Sequence, residues 1–200
     1  MKIFRLIAFP ALLATLLTAC EETVYTPKPR GYPRIEYPEK TGEMSVERGD
    51  CPFTFQIPAY YEIRQDSFFF DQIPPHSCWF DLYIPEFDSR LHCSYLPVGQ
   101  GKSFDELRSD AFDLANWHNK KADYIDEIPI KTANGVEGIF FNFEGEVASQ
   151  YQFYLTDSLH QHFFRVALYF NTQAKPDSLA PVTELIRRDV DLFINSFRWE

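Results

Sequence analysis

Residues 136–170 most constrain what this chain can become. Residues 136–144 alternate, with Ile139, Phe141 and Phe143 on one face, and Gly145 turns the chain. Val147, Ser149, Tyr151, Phe153 and Leu155 then share a face, and Thr156-Asp157-Ser158 makes a second turn. His162, Phe164, Val166, Leu168 and Phe170 share a face of a third segment. Period-two patterning interrupted by turn residues predicts a three-stranded antiparallel meander. Shorter alternating runs come earlier: Phe53-x-Phe55-x-Ile57 before Pro58, Phe80-x-Leu82-x-Ile84 before Pro85, and Leu91-x-Cys93-x-Tyr95 with His92 and Ser94 opposite. Ile125, Ile128 and Ile130 around Pro129 predict a short edge strand, because proline removes a ladder donor. The aromatic content, 20 Phe and 11 Tyr, suits sheet packing.

Two segments carry the helical period instead. Ser103-Phe104-Asp105-Glu106 is a capping-box signature, and Phe104, Leu107, Ala111, Leu114, Ala115 and His118 follow at helical spacing, predicting a helix to about Lys121. Val182, Leu185, Ile186, Phe193, Ile194 and Phe197 form the stripe of a closing helix with Pro181 in its first turn. The expectation is a single α+β domain, an antiparallel sheet of five to seven strands packed with two long helices. This order resembles the Mog1/PsbP-like sandwich, which ends in a helix and a Ser-Phe-Lys-like tail, here Ser196-Phe197-Arg198-Trp199.

The N-terminus predicts location. Lys2 and Arg5 precede an apolar run too short to cross a bilayer, and Leu17-Thr18-Ala19-Cys20 resembles a bacterial lipoprotein cleavage site. The resemblance implies cleavage before Cys20 and acylation there. The expected division is a signal peptide over residues 1–19, a lipid-anchored tether and proline-rich arm over 20–50, and a globular domain over 51–200. Pro27, Pro29, Pro33 and Pro38 keep the arm extended. Arg30, Tyr32 and Arg34 form a cationic and aromatic island, either a plain spacer or a docking strip for another protein. The formal net charge of −10 argues against nucleic-acid binding and against adhesion to anionic headgroups, leaving the lipid as the membrane link.

With Cys20 acylated, Cys51, Cys78 and Cys93 permit three pairings in an oxidising compartment. Cys51 and Cys78 adjoin structural punctuation and are the expected disulfide. Cys93 lies in an alternating run and reads as a small buried apolar residue. Signs of catalysis are weak. Gly99-Gln100-Gly101-Lys102-Ser103 lacks the first glycine of a phosphate-binding loop, since Leu96 stands there. His160 and His162 share a strand face but have no third ligand nearby in sequence. Glu144 and Glu146 bracket a turn, where charges are usually solvated, and there is no nucleophile elbow. The expectation is therefore no enzyme, no metal and no cofactor.

Several segments together resemble the gliding-motility lipoproteins of the GldD family. They are residues 27–35, Cys51-Pro52-Phe53, Cys78-Trp79, Leu91-His92-Cys93-Ser94-Tyr95, and residues 118–124, 145–149, 152–158, 165–171 and 177–182. The resemblance implies a cell-envelope lipoprotein serving surface gliding and the linked type IX secretion machinery. Its implied partners are other gliding-motility lipoproteins or outer-membrane machinery proteins. Glu22, after the acylated cysteine, is consistent with an outer-membrane position facing the periplasm. Alternative readings are a periplasmic ligand- or peptidoglycan-binding module and an envelope enzyme.

Overall fold

Alternation in the second half of the chain becomes the middle of a large sheet. The computed structural model describes residues 34–39, 42–65, 74, 76–172 and 175–200, and the compact unit runs from Arg34 to Glu200. Its strands are β1 (Glu43–Glu47), β2 (Phe53–Pro58), β3 (Glu62–Arg64), β4 (Phe80–Ile84), β5 (Ser89–Pro97), β6 (Ala122–Lys131), β7 (Val136–Gly145), β8 (Tyr151–Asp157), β9 (His162–Phe170) and β10 (Arg198–Trp199). Two helices, α1 (Phe104–Asn116) and α2 (Pro176–Ser196), complete an α+β fold. Seven strands pair in the order β3-β4-β5-β9-β8-β7-β6, and β1-β2-β10 form a separate three-stranded sheet. Every pairing is antiparallel. β6 lies at the sheet edge, as Pro129 requires.

The large sheet buries both faces. On the first, Phe80, Leu82, Leu91, Cys93, Phe140, Phe153, Phe164 and Val166 meet Phe53, Phe55 and Ile57 of β2 and Val182, Ile186, Val190 and Phe193 of α2. Phe53 and Phe55 are the hub: Phe53 lies 4.6 Å from the Phe164 ring and Phe55 lies 4.0 Å from the Phe193 ring, centroid to centroid. Fully burying such a side chain contributes about 1.5–3 kcal/mol. On the second face, Leu107, Ala111 and Ala115 of α1 pack on Phe141, Phe143, Tyr154 and Phe163. Helix α1 begins with the expected capping box, in which the Glu106 amide donates to Ser103 Oγ and the Ser103 amide donates to Glu106.

Three departures from expectation have physical causes. The stretch up to Asp50, read as arm, supplies β1, which pairs with β2 and places Val46 in the core and Met44 against it. Its two apolar residues sit among glutamates, so its pattern is faint. The strand expected from Val147 starts at Tyr151, because the Phe143 amide closes the hairpin on the Gln150 carbonyl at 3.0 Å and leaves the residues between as a loop. Val147 therefore turns into the second cluster, away from Phe153 and Leu155. Helix α2 starts at Pro176, not near Pro181, which lies inside it. Pro176 fills the first helical position, where a missing amide costs nothing.

Candidate functional site

The cleft that draws attention is built by backbone contact at one end of the sheet. Helix α1 tightens into a 3-10 turn over Trp117–Lys120, closed by the Lys121 amide on the His118 carbonyl at 2.9 Å. The next residues run against Gly145, whose φ is +116°. A Cβ there would stand 2.7 Å from the Lys121 carbonyl oxygen and 2.9 Å from the Asp123 amide nitrogen, so only glycine permits this approach. The contact sets Lys121 beside Glu146 as two walls of a cleft of about 580 Å³. Trp117, His118, Val147, Ala148, Phe170 and Thr172 complete it. Trp117 is 75% exposed, an unusual state for so large an apolar ring. Leu114, 43% exposed, precedes it by three residues on the same helical face, and Tyr124, 59% exposed, follows on β6.

Behind the cleft runs a chain of polar side chains on the sheet's second face. Arg165 donates from Nη2 to Gln152 Oε1 at 2.6 Å. The Gln152 amide nitrogen lies 2.8 Å from His118 Nε2. A guanidinium only donates, so Gln152 turns its oxygen to Arg165 and its amide donates to the imidazole. His118 Nε2 is thereby an acceptor, and the ring proton sits on Nδ1. Burial and, second, the Arg165 charge hold the His118 pKa below its ordinary value. Burial also lowers Arg165, opposed by the Tyr169 hydroxyl that accepts from it. Arg165 enters none of the ion pairs among the described residues.

The residues singled out by sequence are dispersed. Cys51 and Cys78 form a disulfide, and Cys93 is a buried free thiol whose pKa burial pushes well up. Cys20, Arg30 and Tyr32 lie outside the described residues. Arg34 is exposed and, with Ile35, Glu86, Phe87 and Val182, lines a separate hollow of about 410 Å³. His160 and His162 diverge: His160 has a left-handed backbone, φ 54°, and stacks on Phe104, whereas His162 Nδ1 meets the Tyr95 hydroxyl at 2.8 Å. No group of three His, Cys, Asp or Glu among the described residues is placed to hold a metal. Gly99 and Gly101 have positive φ in the turn feeding the α1 cap.

Three polar clusters escaped the sequence reading. One is the Arg165–Gln152–His118 chain. A second joins buried Asp81 to buried His92 at 2.7 Å across β4 and β5, with Arg90 Nε 3.7 Å from the carboxylate. In the third, Tyr60 and Tyr61 both donate to Asp189, the Tyr61 hydroxyl at 3.1 Å, tying α2 to the chain after β2. Burial, then the Asp189 charge, raises the Tyr61 pKa well above its usual value. For the first two the available signal was polar residues at alternate strand positions, which ordinarily marks a solvated face; Tyr60, Tyr61 and Asp189 lie off the strands and gave no such signal.

The geometry defines a class first: an α+β domain with two antiparallel sheets, covered by a helix on each face of the larger one. Within it, residues 22–199 match the family described as gliding motility lipoprotein GldD, and the chain belongs to that family. Membership makes it a gliding-motility lipoprotein of the cell envelope, and among the described residues no helix is long and apolar enough to cross a membrane. No curated protein matches the chain. Among solved structures, the solution structure of cyanobacterial PsbP (CyanoP) from Synechocystis sp. PCC 6803 is similar at 11% identity and a TM-score of 0.45, covering 83% of this chain and 99% of that one. Segments 118–124, 145–149, 152–158 and 165–171, four of those carrying the family resemblance, all contribute to the cleft or to the polar chain behind it.

Proposed function

We propose that this chain is a non-enzymatic structural or assembly component of the gliding-motility and type IX secretion machinery, working by protein–protein contact. Acylated Cys20 holds it to the outer membrane on the periplasmic side. The arm around Arg30, Tyr32 and Arg34 is a docking strip for other motility lipoproteins or outer-membrane components.

The observation that carries this reading is the exposed Trp117 lining the cleft, with Leu114 exposed three residues before it and Tyr124 exposed on β6. Exposed tryptophan next to a concavity is the composition of an interface anchor, where a few aromatic side chains supply most of the binding energy. The cleft's own polar groups support a binding role, because His118 is engaged through Nε2 and held neutral. The test is Trp117→Ala at its native locus in a gliding strain, with colony spreading, secretion and lipoprotein abundance measured together. Loss of spreading at unchanged abundance is expected. Intact gliding and secretion in both Trp117→Ala and the Arg30, Tyr32, Arg34 triple-alanine variant refutes the reading.

A further inference from the structure

We infer that the cleft beside Trp117 binds the free carboxylate end of a peptide chain with an apolar last side chain. This deepens the contact role proposed above and rests on it. Three features of the lining select this ligand class. The first is charge. Arg165 stands behind the lining, a half-buried cation in none of the ion pairs among the described residues, so its charge acts on the groups hydrogen-bonded to it. Its influence reaches the cleft through Gln152 and His118. Because His118 Nε2 accepts from Gln152, the ring's remaining donor is Nδ1–H, which meets no acceptor among the described residues. Donors linked in series to a guanidinium are polarised and bind anions more strongly than an isolated imidazole. Lys121 is the cation of the lining itself.

The second feature is Glu146, which lines the cleft beside these donors. A multiply charged phosphate or sulfate meets repulsion from it. A peptide end carries one negative charge, so the repulsion is smaller and is offset: its carboxylate takes His118 and Lys121 while a backbone N–H donates to Glu146. The third is the apolar wall. Phe170, Val147 and Trp117 accept a side chain in a volume that suits one residue and part of the next.

The experiment titrates the folded protein with N-acetylated L-tripeptides, the last position varied over all amino acids, each as free acid and as C-terminal amide, and with a stem peptide ending in two D-alanines. NMR of the His118 ring and calorimetry read the binding. Saturable binding is expected for free acids ending in apolar residues, with shifts at His118 and at least tenfold weaker binding of the amides. Arg165→Met is expected to stay folded and lose tenfold or more in affinity, and Trp117→Ala to lose affinity while the His118 shift persists. Equal binding of acid and amide overturns the inference, as does failure of every free acid. Binding only of a stem peptide ending in two D-alanines also overturns it, in favour of a cell-wall ligand. Failure in this titration alongside a gliding defect in Trp117→Ala strikes the inference alone. Peptide binding alongside normal gliding in Trp117→Ala strikes the proposed function.

Discussion

Gly145 and Gly135 stand at the two ends of β7, and substituting each by alanine separates two costs. Both have positive φ, +116° and +75°, but a Cβ on Gly135 meets nothing within 4 Å. A Cβ on Gly145 meets the backbone of Lys121, Ala122 and Asp123, the nearest atom at 2.7 Å. Positive φ costs a side-chain-bearing residue about 1–2 kcal/mol. Alanine recovers about 0.4–1 kcal/mol by stiffening the unfolded chain. Gly135→Ala is therefore expected to destabilise by about 1 kcal/mol. Gly145→Ala adds an overpacking cost of about 1–3 kcal/mol, because backbone cannot rotate aside as a side chain can. Its expected total is about 2–4 kcal/mol. Urea unfolding followed by tryptophan fluorescence measures both, with unchanged slopes required for comparison. Gly145→Ala also drives Lys121 from Glu146, so it should impair whatever the cleft binds while Gly135→Ala does not. Equal stability losses within about 0.5 kcal/mol would refute the claim that the cleft's two walls are in hard contact.

Two further perturbations test the fold and the site. Reducing the Cys51–Cys78 bridge, which spans a sequence separation of 27, should cost about 3.5 kcal/mol by loop entropy and lower the melting temperature by about 10 °C; a shift under about 2 °C contradicts this. His118 should titrate below the ordinary value of about 6.5 by NMR. The unfolded chain then takes up this proton first on acidification, so the His118 contribution is complete above about 6.5 and declines as pH falls toward the folded value. Unfolding free energies of wild type and His118→Asn should therefore converge on acidification from neutral pH; a constant difference contradicts the lowered pKa of His118.

The large sheet was legible because alternation is robust when one face packs on aromatic residues: Phe153, Leu155, Phe164, Val166 and Leu168 stand where period two places them. The short strands were faint. In the small sheet only β2 shows the alternation, because β10 is two residues long and β1 has only two apolar positions; β3, at the edge of the large sheet, is three residues long, so none of these three presents a full period. The disulfide was readable from the chain punctuation around its cysteines, but the cleft was not. His118 stood out only as the last residue of a helical stripe. Gln152 and Arg165 occupied the polar positions of half-buried strands, which look the same in sequence whether water or a second layer lies over them. Nothing local records that α1 returns over that face, bringing its end to β8 and β9.

That return also explains why a costly cation is retained there. The first face of the sheet is packed with phenylalanine and carries the larger of the two apolar clusters. On the second face α1 covers only part, through the small Ala111 and Ala115 and through Leu107. Beyond its last turn lie Gln152 and Arg165, positions of the kind where apolar replacement of a charge is often neutral or stabilising. A half-buried cation outside every ion pair among the described residues, linked by hydrogen bonds to a cleft that the most exposed tryptophan lines, is better explained by binding than by packing. Stability measurements decide between the two. If Arg165→Met is as stable as wild type or more so, the guanidinium is there for a ligand; if it unfolds the protein, the Gln152 and Tyr169 contacts are structural and the cleft loses its electrostatic argument.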